Sequence, residues 1–329
     1  MRTLFYTILL SSTIFLSIHL LHAIEEPKGA YDVRIPTYSA EGRINWELEA
    51  EEVDVNKDGT YSARYPKIFL LEDQKPSTIA SSKTGIFKID QGEAKGTNNL
   101  FVQGLGFEAV GKPWAFKENI EKGKNRLSFS KHGKIGFEGS FIAGLDFKDS
   151  VKDLVKNNRN VPRNSPASLD EPKLSKDFPT TAYGKKIVID DLGGGKRRFL
   201  LKDDVFIKMK DTESNSSEVE FSTILCDSAE IFMGKDYNIK SRTDTFGRIS
   251  QIHAVGNVRL NQPLRSSSAN ELKWSEENQQ VILLGNANVS HQKWGEAQGE
   301  KIIISQKDGR AEVIGGSRGR SRLLLPALE

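Results

Sequence analysis

Ile252-His253-Ala254-Val255-Gly256-Asn257-Val258-Arg259-Leu260 and Val281-Ile282-Leu283-Leu284-Gly285-Asn286-Ala287-Asn288-Val289 align at an offset of 29 residues, and their alternation decides the fold. In the first copy Ile252, Ala254, Gly256, Val258 and Leu260 share one face; in the second Val281, Leu283, Gly285, Ala287 and Val289 share its counterpart. Period two is the signature of a strand with one buried face. Each copy is followed by a second short element, Ala269 to Leu272 and Gly299 to Ile302, at an offset of 30. A weaker copy is FLLKDDVFI at 199–207 with CDSAEI at 226–231. A repeat of this length, made of two strands and two turns, stacks unit on unit and buries one face of each.

Working outward, the same alternation fills 181–329, through KIVID, FLLKDDVFIKM, ANELKW and EKIII. It also fills 31–147, through Trp46, Leu48 and Ala50, KIFLL at 67–71, GIFKI at 85–89 and LFVQGLGFEAV, which contains Phe107. Gly, Asn, Asp and Lys separate the runs, and no stripe of helical period appears. Between these regions, 148–180 carries Pro162, Pro166, Pro172 and Pro179, four of the eleven prolines, and reads as a linker. The expected class is all-β and antiparallel, in two consecutive units.

Composition narrows the function. Apolar residues make up 37% and 28 glycines add to them, so the chain is neither disordered nor collagenous. A net charge of +3 over 329 residues is too small to mark a polyanion-binding surface, and no nucleic-acid partner is expected. Cys226 is the single cysteine, which excludes an intrachain disulfide and a thiolate metal cluster. Of five histidines, His19 and His22 lie in the apolar N-terminus. No metal, cofactor or catalytic residue is expected from this inventory.

The N-terminus runs LFYTILLSSTIFLSIHLL from Leu4 to Leu21 without a charge, between Arg2 and Glu25-Glu26. Residues 1–23 therefore read as an export signal, either a cleaved signal peptide or a transmembrane anchor. Leu21-His22-Ala23 places a large side chain where signal peptidase prefers a small one, which favours a retained anchor with its amino end inside. Everything after it then faces an extracytoplasmic compartment.

The series AVGNVRL, SSSANELKW, QQVILLGNANV, AQGEKIII and GRAEVIGG resembles the OstA-like domain of the LptC/LptA lipopolysaccharide-transport family. The N-terminal half, with EGRINWELEAEEVD, GTYSARYPKIFLLED, ASSKTGIFKID and VQGLGFEAVGKPWAF, is similar to the LptC kind. The resemblance implies an N-terminal hydrophobic helix, then an LptC-like antiparallel open β-jelly roll at 31–147 and an LptA-like one at 181–329. It also implies a non-enzymatic periplasmic protein, held at the inner membrane by its N-terminal segment, within a bridge that carries lipopolysaccharide to the outer membrane. Its partners would be lipopolysaccharide, the inner-membrane export transporter and outer-membrane assembly proteins, joined through end-strand pairing. The chain departs from the family pattern in holding both kinds of unit.

Such a carrier must hide acyl chains, whose exposure costs about 0.8 kcal/mol per CH₂, on the order of 10 kcal/mol for a chain of a dozen methylenes. The expected apolar trough is lined by Ile252, Ala254, Val258, Leu260, Val281, Leu283, Ala287 and Val289, with Leu48 and Phe107 from the first unit. The small residues, Gly256 and Gly285 included, are expected to leave it width. Alternation alone describes a closed, dry sandwich core equally well. The competing functional reading is a carbohydrate-binding or glycoside-hydrolase jelly roll, with Trp46, Trp114, Trp274 and Trp294 stacking on sugars.

Other constellations have simpler readings. Asp54-Val55-Asn56-Lys57-Asp58-Gly59-Thr60 opens like a calcium loop but has Tyr65 at the twelfth position, and a hairpin turn suffices. Gly193-Gly194-Gly195-Lys196 lacks the spacing of a phosphate loop and reads as a loose hairpin. Arg310, Arg318, Arg320 and Arg322 make a basic tail, either solvated or in contact with lipid phosphates. Cys226 is expected to be a small buried apolar residue and His253 an ordinary outward-facing one.

Overall fold

The computed structural model describes residues 29–39, 42–72, 74–119, 124–139, 173–210, 221–235, 246–292, 295–305, 310–316 and 321–324. The expected signal or anchor at 1–23 lies outside them, as do 148–172 of the expected linker.

β1 (Ala30–Tyr38) and β2 (Ile44–Val55) open the sheet. The next three crossings are each split into two short strands: β3 (Tyr61–Arg64) with β4 (Lys67–Glu72), β5 (Lys75–Ser82) with β6 (Thr84–Lys88), and β7 (Glu93–Gly96) with β8 (Leu100–Gly104). β9 (Phe107–Asn119) and β10 (Lys124–Phe137) cross in one piece, and β11 (Thr180–Gly184) with β12 (Lys186–Gly193) are again split. Then come β13 (Lys196–Lys210), β14 (Phe221–Lys235), β15 (Phe246–Gln262), β16 (Arg265–Ser275), β17 (Gln280–His291) and β18 (Gly295–Ser305), closed by β19 (Ala311–Ile314) with β20 (Arg322–Leu324). The class expected from the alternation, all-β and antiparallel, is the one observed.

Counting each split pair as one, fifteen crossings lie side by side in sequence order, each antiparallel to its neighbours. At roughly 4.8 Å per spacing they make a ridge on the order of 65 Å long. Every crossing bends once, and the bends line up along one corner. On the long strands the ladder breaks register there, between Lys202 and Val205, Val255 and Val258, and Leu284 and Ala287. The bend divides the sheet into two halves that fold onto each other. Half-sheet I holds the start of β2, β4, β5, β8, the start of β9 and the end of β10; half-sheet II holds the end of β2, β3, β6, β7, the end of β9 and the start of β10. Inward side chains meet between them: Trp46 meets Phe116 at 5.2 Å between ring centroids, and Phe199 meets Phe107 at 4.9 Å and Phe137 at 5.0 Å, all edge to face.

The Gly-Asn of the repeat is this corner, which corrects its reading as strand interior. Gly256 and Asn257 have φ of 81° and 47°, and Gly285 and Asn286 have 71° and 51°. Asp203 and Asp204, the equivalent pair in the weaker copy, also take positive φ, 63° and 56°. Gly, Asn and Asp occur there because they tolerate the left-handed region best. The glycines therefore bend the chain and do not widen a trough. A Cβ on Gly256 would stand 2.2 Å from Asp227 Oδ2, the same oxygen that accepts a hydrogen bond from Asn257 Nδ2 at 2.9 Å. Gly256→Ala is expected to lower the free energy of unfolding by about 2 kcal/mol, since it adds this clash to the φ penalty. Urea unfolding checks it; an unchanged midpoint would mean the corner yields freely.

The ladder does not stop between the two expected β regions. Ile135, Gly136 and Phe137 pair with Ala182, Thr181 and Thr180, and Arg126 to Phe129 pair with Asp190 to Ile187. The described end of the expected linker, from Lys173 onward, is docked on the sheet. Phe178 seats on the bare backbone of Gly136, where a Cβ would come within 2.3 Å of its ring. Ser175 N and Oγ donate to Glu108 at 3.0 and 2.5 Å.

Candidate functional site

Alternation places the inward side chains of all crossings in one buried, continuous apolar interior. The ten residues expected to line a trough all belong to it: Leu48, Phe107, Ile252, Ala254, Val258, Leu260, Val281, Leu283, Ala287 and Val289 are 0–9% exposed. Eight of them lie together on β15 and β17, the ones the repeat picked out. Leu48 sits on β2, eleven crossings from β17 and so roughly 50 Å away. In this state the ten pack against other side chains, so an acyl chain would have to part the half-sheets.

The interior changes character along its length. From β2 to β13 it is filled with rings: Trp46, Phe87, Phe107, Trp114, Phe116, Phe129, Phe137 and Phe199 are buried. From β14 to β18 it is mostly aliphatic, with Trp274 the one ring among the buried inward residues described and Arg265 and Ser267 buried near the tip of β16. Rings locked edge to face resist separation more than small aliphatic groups do.

Opposite the corner, the strand tips of the two half-sheets form a mouth, and among the described residues polar side chains are seen to join its lips from β9 to β2 and from β13 to β5. Glu118, near the tip of β9, accepts from Trp46 Nε1 at 2.6 Å and from Asn45 Nδ2, both at the opposite tip on β2. Arg197, near the tip of β13, donates from Nη2 to the Ser77 carbonyl at 3.3 Å and to Thr78 Oγ1 at 3.0 Å on β5. Its guanidinium also lies 5.6 Å from the centroid of Phe107. Arg197 is 3% exposed, and among the described residues no carboxylate is hydrogen-bonded to it; burial pulls its pKa below the usual arginine value, with Asp191 and Glu72 opposing from a distance. Both clasps lie in the ring-filled half.

Sequence reasoning missed the clasps. Their signal is a polar residue at inward parity near a strand end: Glu118 follows Trp114 and Phe116, and Arg197 precedes Phe199 and Leu201.

The remaining candidates resolve locally. At Asn56–Thr60 the chain makes a hairpin turn, with Asp58 Oδ1 accepting from Thr60 N at 3.1 Å and Thr60 Oγ1 at 2.7 Å. Gly193, Gly194 and Gly195 all take positive φ in the β12–β13 hairpin. The Cys226 thiol is buried, and desolvation, then the neighbouring Asp227 charge, push its pKa up to about 12. His253 faces outward and pairs with Glu271 at 2.6 Å. Trp46, Trp114 and Trp274 are inside the fold, unavailable for stacking on a sugar at the surface, and Trp294 lies outside the described residues. Arg310 and Arg322 are exposed, whereas Arg318 and Arg320 lie outside the described residues.

No family model and no curated protein matches the chain. It is similar to a solved structure, that of LptH, the LptA-homologous periplasmic component of the lipopolysaccharide transport device of Pseudomonas aeruginosa. The identity is 13% and the TM-score 0.29, over 40% of this chain and 85% of that one. At that score the likeness says nothing of what this chain does.

Proposed function

We propose that the protein is a non-enzymatic periplasmic carrier of lipopolysaccharide, whose acyl chains lie between the half-sheets along β14 to β18. The observation that carries this reading is the aliphatic, ring-poor run of inward residues, Ile252, Ala254, Val258, Leu260, Val281, Leu283, Ala287 and Val289 among them, facing the mouth between the strand tips. Such a surface holds fatty chains without specific polar readout. Leu48 and Phe107, packed among rings under the two clasps, would act as a permanently closed support for that run.

Among the described residues, β1 pairs only with β2, and β19 and β20 only with β18. Both ends of the sheet thus offer unpaired backbone groups to which another protein's strand can add. On this reading, one end meets the inner-membrane export transporter, the other an outer-membrane assembly protein, and residues 1–23 keep the chain at the inner membrane. LptC-like and LptA-like parts would then share one ladder without a joint, with the acyl chains held in the LptA-like part alone.

A photo-crosslinking amino acid at Val258 or Leu283 in the full chain, irradiated in its own membrane fraction, is expected to capture lipopolysaccharide. The same group at Gln251 or Asn288, on the outer face, is expected to capture none. Equal capture at all four positions would remove the trough. Release of sugar from glycans by the purified chain would favour the carbohydrate-active alternative.

A further inference from the structure

The two outer faces of the folded sheet differ in chemistry. On half-sheet II the outward side chains form ion pairs from strand to strand. Lys117 pairs with Glu93 at 2.8 Å, Asp190 with Arg126 at 2.6 Å and Arg198 at 2.5 Å, and Arg198 with Glu230 at 3.3 Å. Glu271 pairs with Lys273 at 2.7 Å and His253 at 2.6 Å. Such a face is suited to water.

From β10 to β15, half-sheet I is different; an outward ion pair of its own, Arg34 with Glu47 at 2.5 Å, lies at the far end on β1 and β2. Lys134, Tyr183, Phe206, Leu225 and Arg259 stand directly opposite one another on five successive crossings, all pointing outward. Tyr183 and Phe206 have ring centroids 6.0 Å apart. Lys134 Nζ lies 4.9 Å from the centroid of Tyr183, and one row nearer the tips Lys208 Nζ lies 3.7 Å from that of Phe221. Leu225 and Phe221 are 40% and 42% exposed. The acids of the adjoining surface are engaged: Glu108 by Ser175, Glu138 by Lys176 at 2.8 Å, and at the corner Asp203 by Lys186 at 2.9 Å and Asp204 by Lys185. Asp177 stands exposed nearby. Among the described residues no carboxylate pairs with Lys134, Lys208, Lys210 or Arg259.

An apolar patch rimmed by polar groups marks an interaction surface. Ammonium groups carried on aromatic faces, with their stems laid along apolar surface, suit a boundary that is greasy on one side and anionic on the other. We propose that the outer face of half-sheet I docks on an anionic phospholipid membrane. Headgroup phosphates meet Lys134, Lys208, Lys210 and Arg259, while Phe206, Phe221 and Leu225 reach the edge of the acyl region. The ion-paired face of half-sheet II then points away from the bilayer, and the long axis of the sheet lies along it. Docking is therefore a state distinct from one in which the two ends of the sheet reach opposite membranes.

The test uses the full chain, so that any insertion of its N-terminal segment is common to all variants. A fluorophore is attached at Leu225→Cys or, as the control on half-sheet II, at Gln251→Cys; Cys226 is buried and its thiol stays protonated, so it does not compete. The protein is bound to vesicles of phosphatidylcholine alone or with phosphatidylglycerol. On phosphatidylglycerol vesicles the label at 225 is expected to be shielded from acrylamide and quenched by a headgroup nitroxide, and the label at 251 to remain open. Lys134→Gln with Lys208→Gln is expected to lower the docked-to-free ratio about 30-fold, the effect of two charges at a membrane surface. Equal acrylamide access at 225 on both lipids would overturn the proposal. So would shielding without lipid quenching, which would mean a protein covers the face, or a double variant that docks as before.

Discussion

Phe199→Ala is expected to lower the free energy of unfolding by about 4 kcal/mol. Phe199 is fully buried and lies edge to face between Phe107 on β9 and Phe137 on β10. Truncation leaves a cavity and removes both ring contacts, each of about 1 kcal/mol. The position also reports on how the chain is organised, because Phe199 belongs to the second β region expected from the sequence and its two partners to the first. With β10 paired to β11 and β12, the regions share one ladder. Near-ultraviolet circular dichroism, which follows the rings of β2 to β13, and amide exchange on β15 to β17 are therefore expected to shift to lower denaturant together. Loss of the ring signal with exchange protection on β15 to β17 intact would show two independently stable units.

Arg197→Met is expected to change stability in the opposite direction, raising the free energy of unfolding by about 1–3 kcal/mol. A buried guanidinium loses its hydration, and here it regains two hydrogen bonds to neutral oxygens and the face of Phe107, with no hydrogen-bonded carboxylate among the described residues. Replacing buried charge with an apolar chain of similar reach is commonly neutral or stabilising by a few kcal/mol. Thr78→Val, which leaves the charge in place and takes away one acceptor, is expected to cost about 1–2 kcal/mol. Guanidinium chloride unfolding measures both. A destabilised Arg197→Met protein would mean that the clasp holds the lips together more strongly than desolvation pushes them apart. If the clasp limits access to the interior, the variant also alters how quickly an apolar fluorophore enters it.

Much of this fold was legible because its signal is local. Period-two alternation located nearly every strand, and each strand pairs chiefly with its sequence neighbours, so class and order followed from short windows. The 29-residue offset located the two copies whose inward residues the structure buries together. The meaning of Gly-Asn was not legible, since a glycine in an alternating run looks the same whether it sits in a flat strand or at a bend; only positive φ at both residues separates the two. Asp203-Asp204 shows the same corner written in another pair of residues. The continuity across 148–180 was hidden as well, because a proline-rich stretch announces an interruption of the chain and not of the ladder. The clasps at Glu118 and Arg197 depend on which tip faces which across the mouth, a relation between residues 73 and about 120 positions apart. A single sequence carries no local trace of that.

The corner has a consequence for how such a molecule can change size. Because one copy of the repeat leaves a tip, rounds the bend, turns and comes back to the tip it left, duplicating or deleting a copy preserves parity. The inside stays inside, the bends remain aligned, and the terminal strand keeps its direction and its exposed margin. Length can therefore be altered only in increments of two spacings, about 10 Å. A change of a single crossing would reverse the last strand and present a different margin to whatever adjoins it.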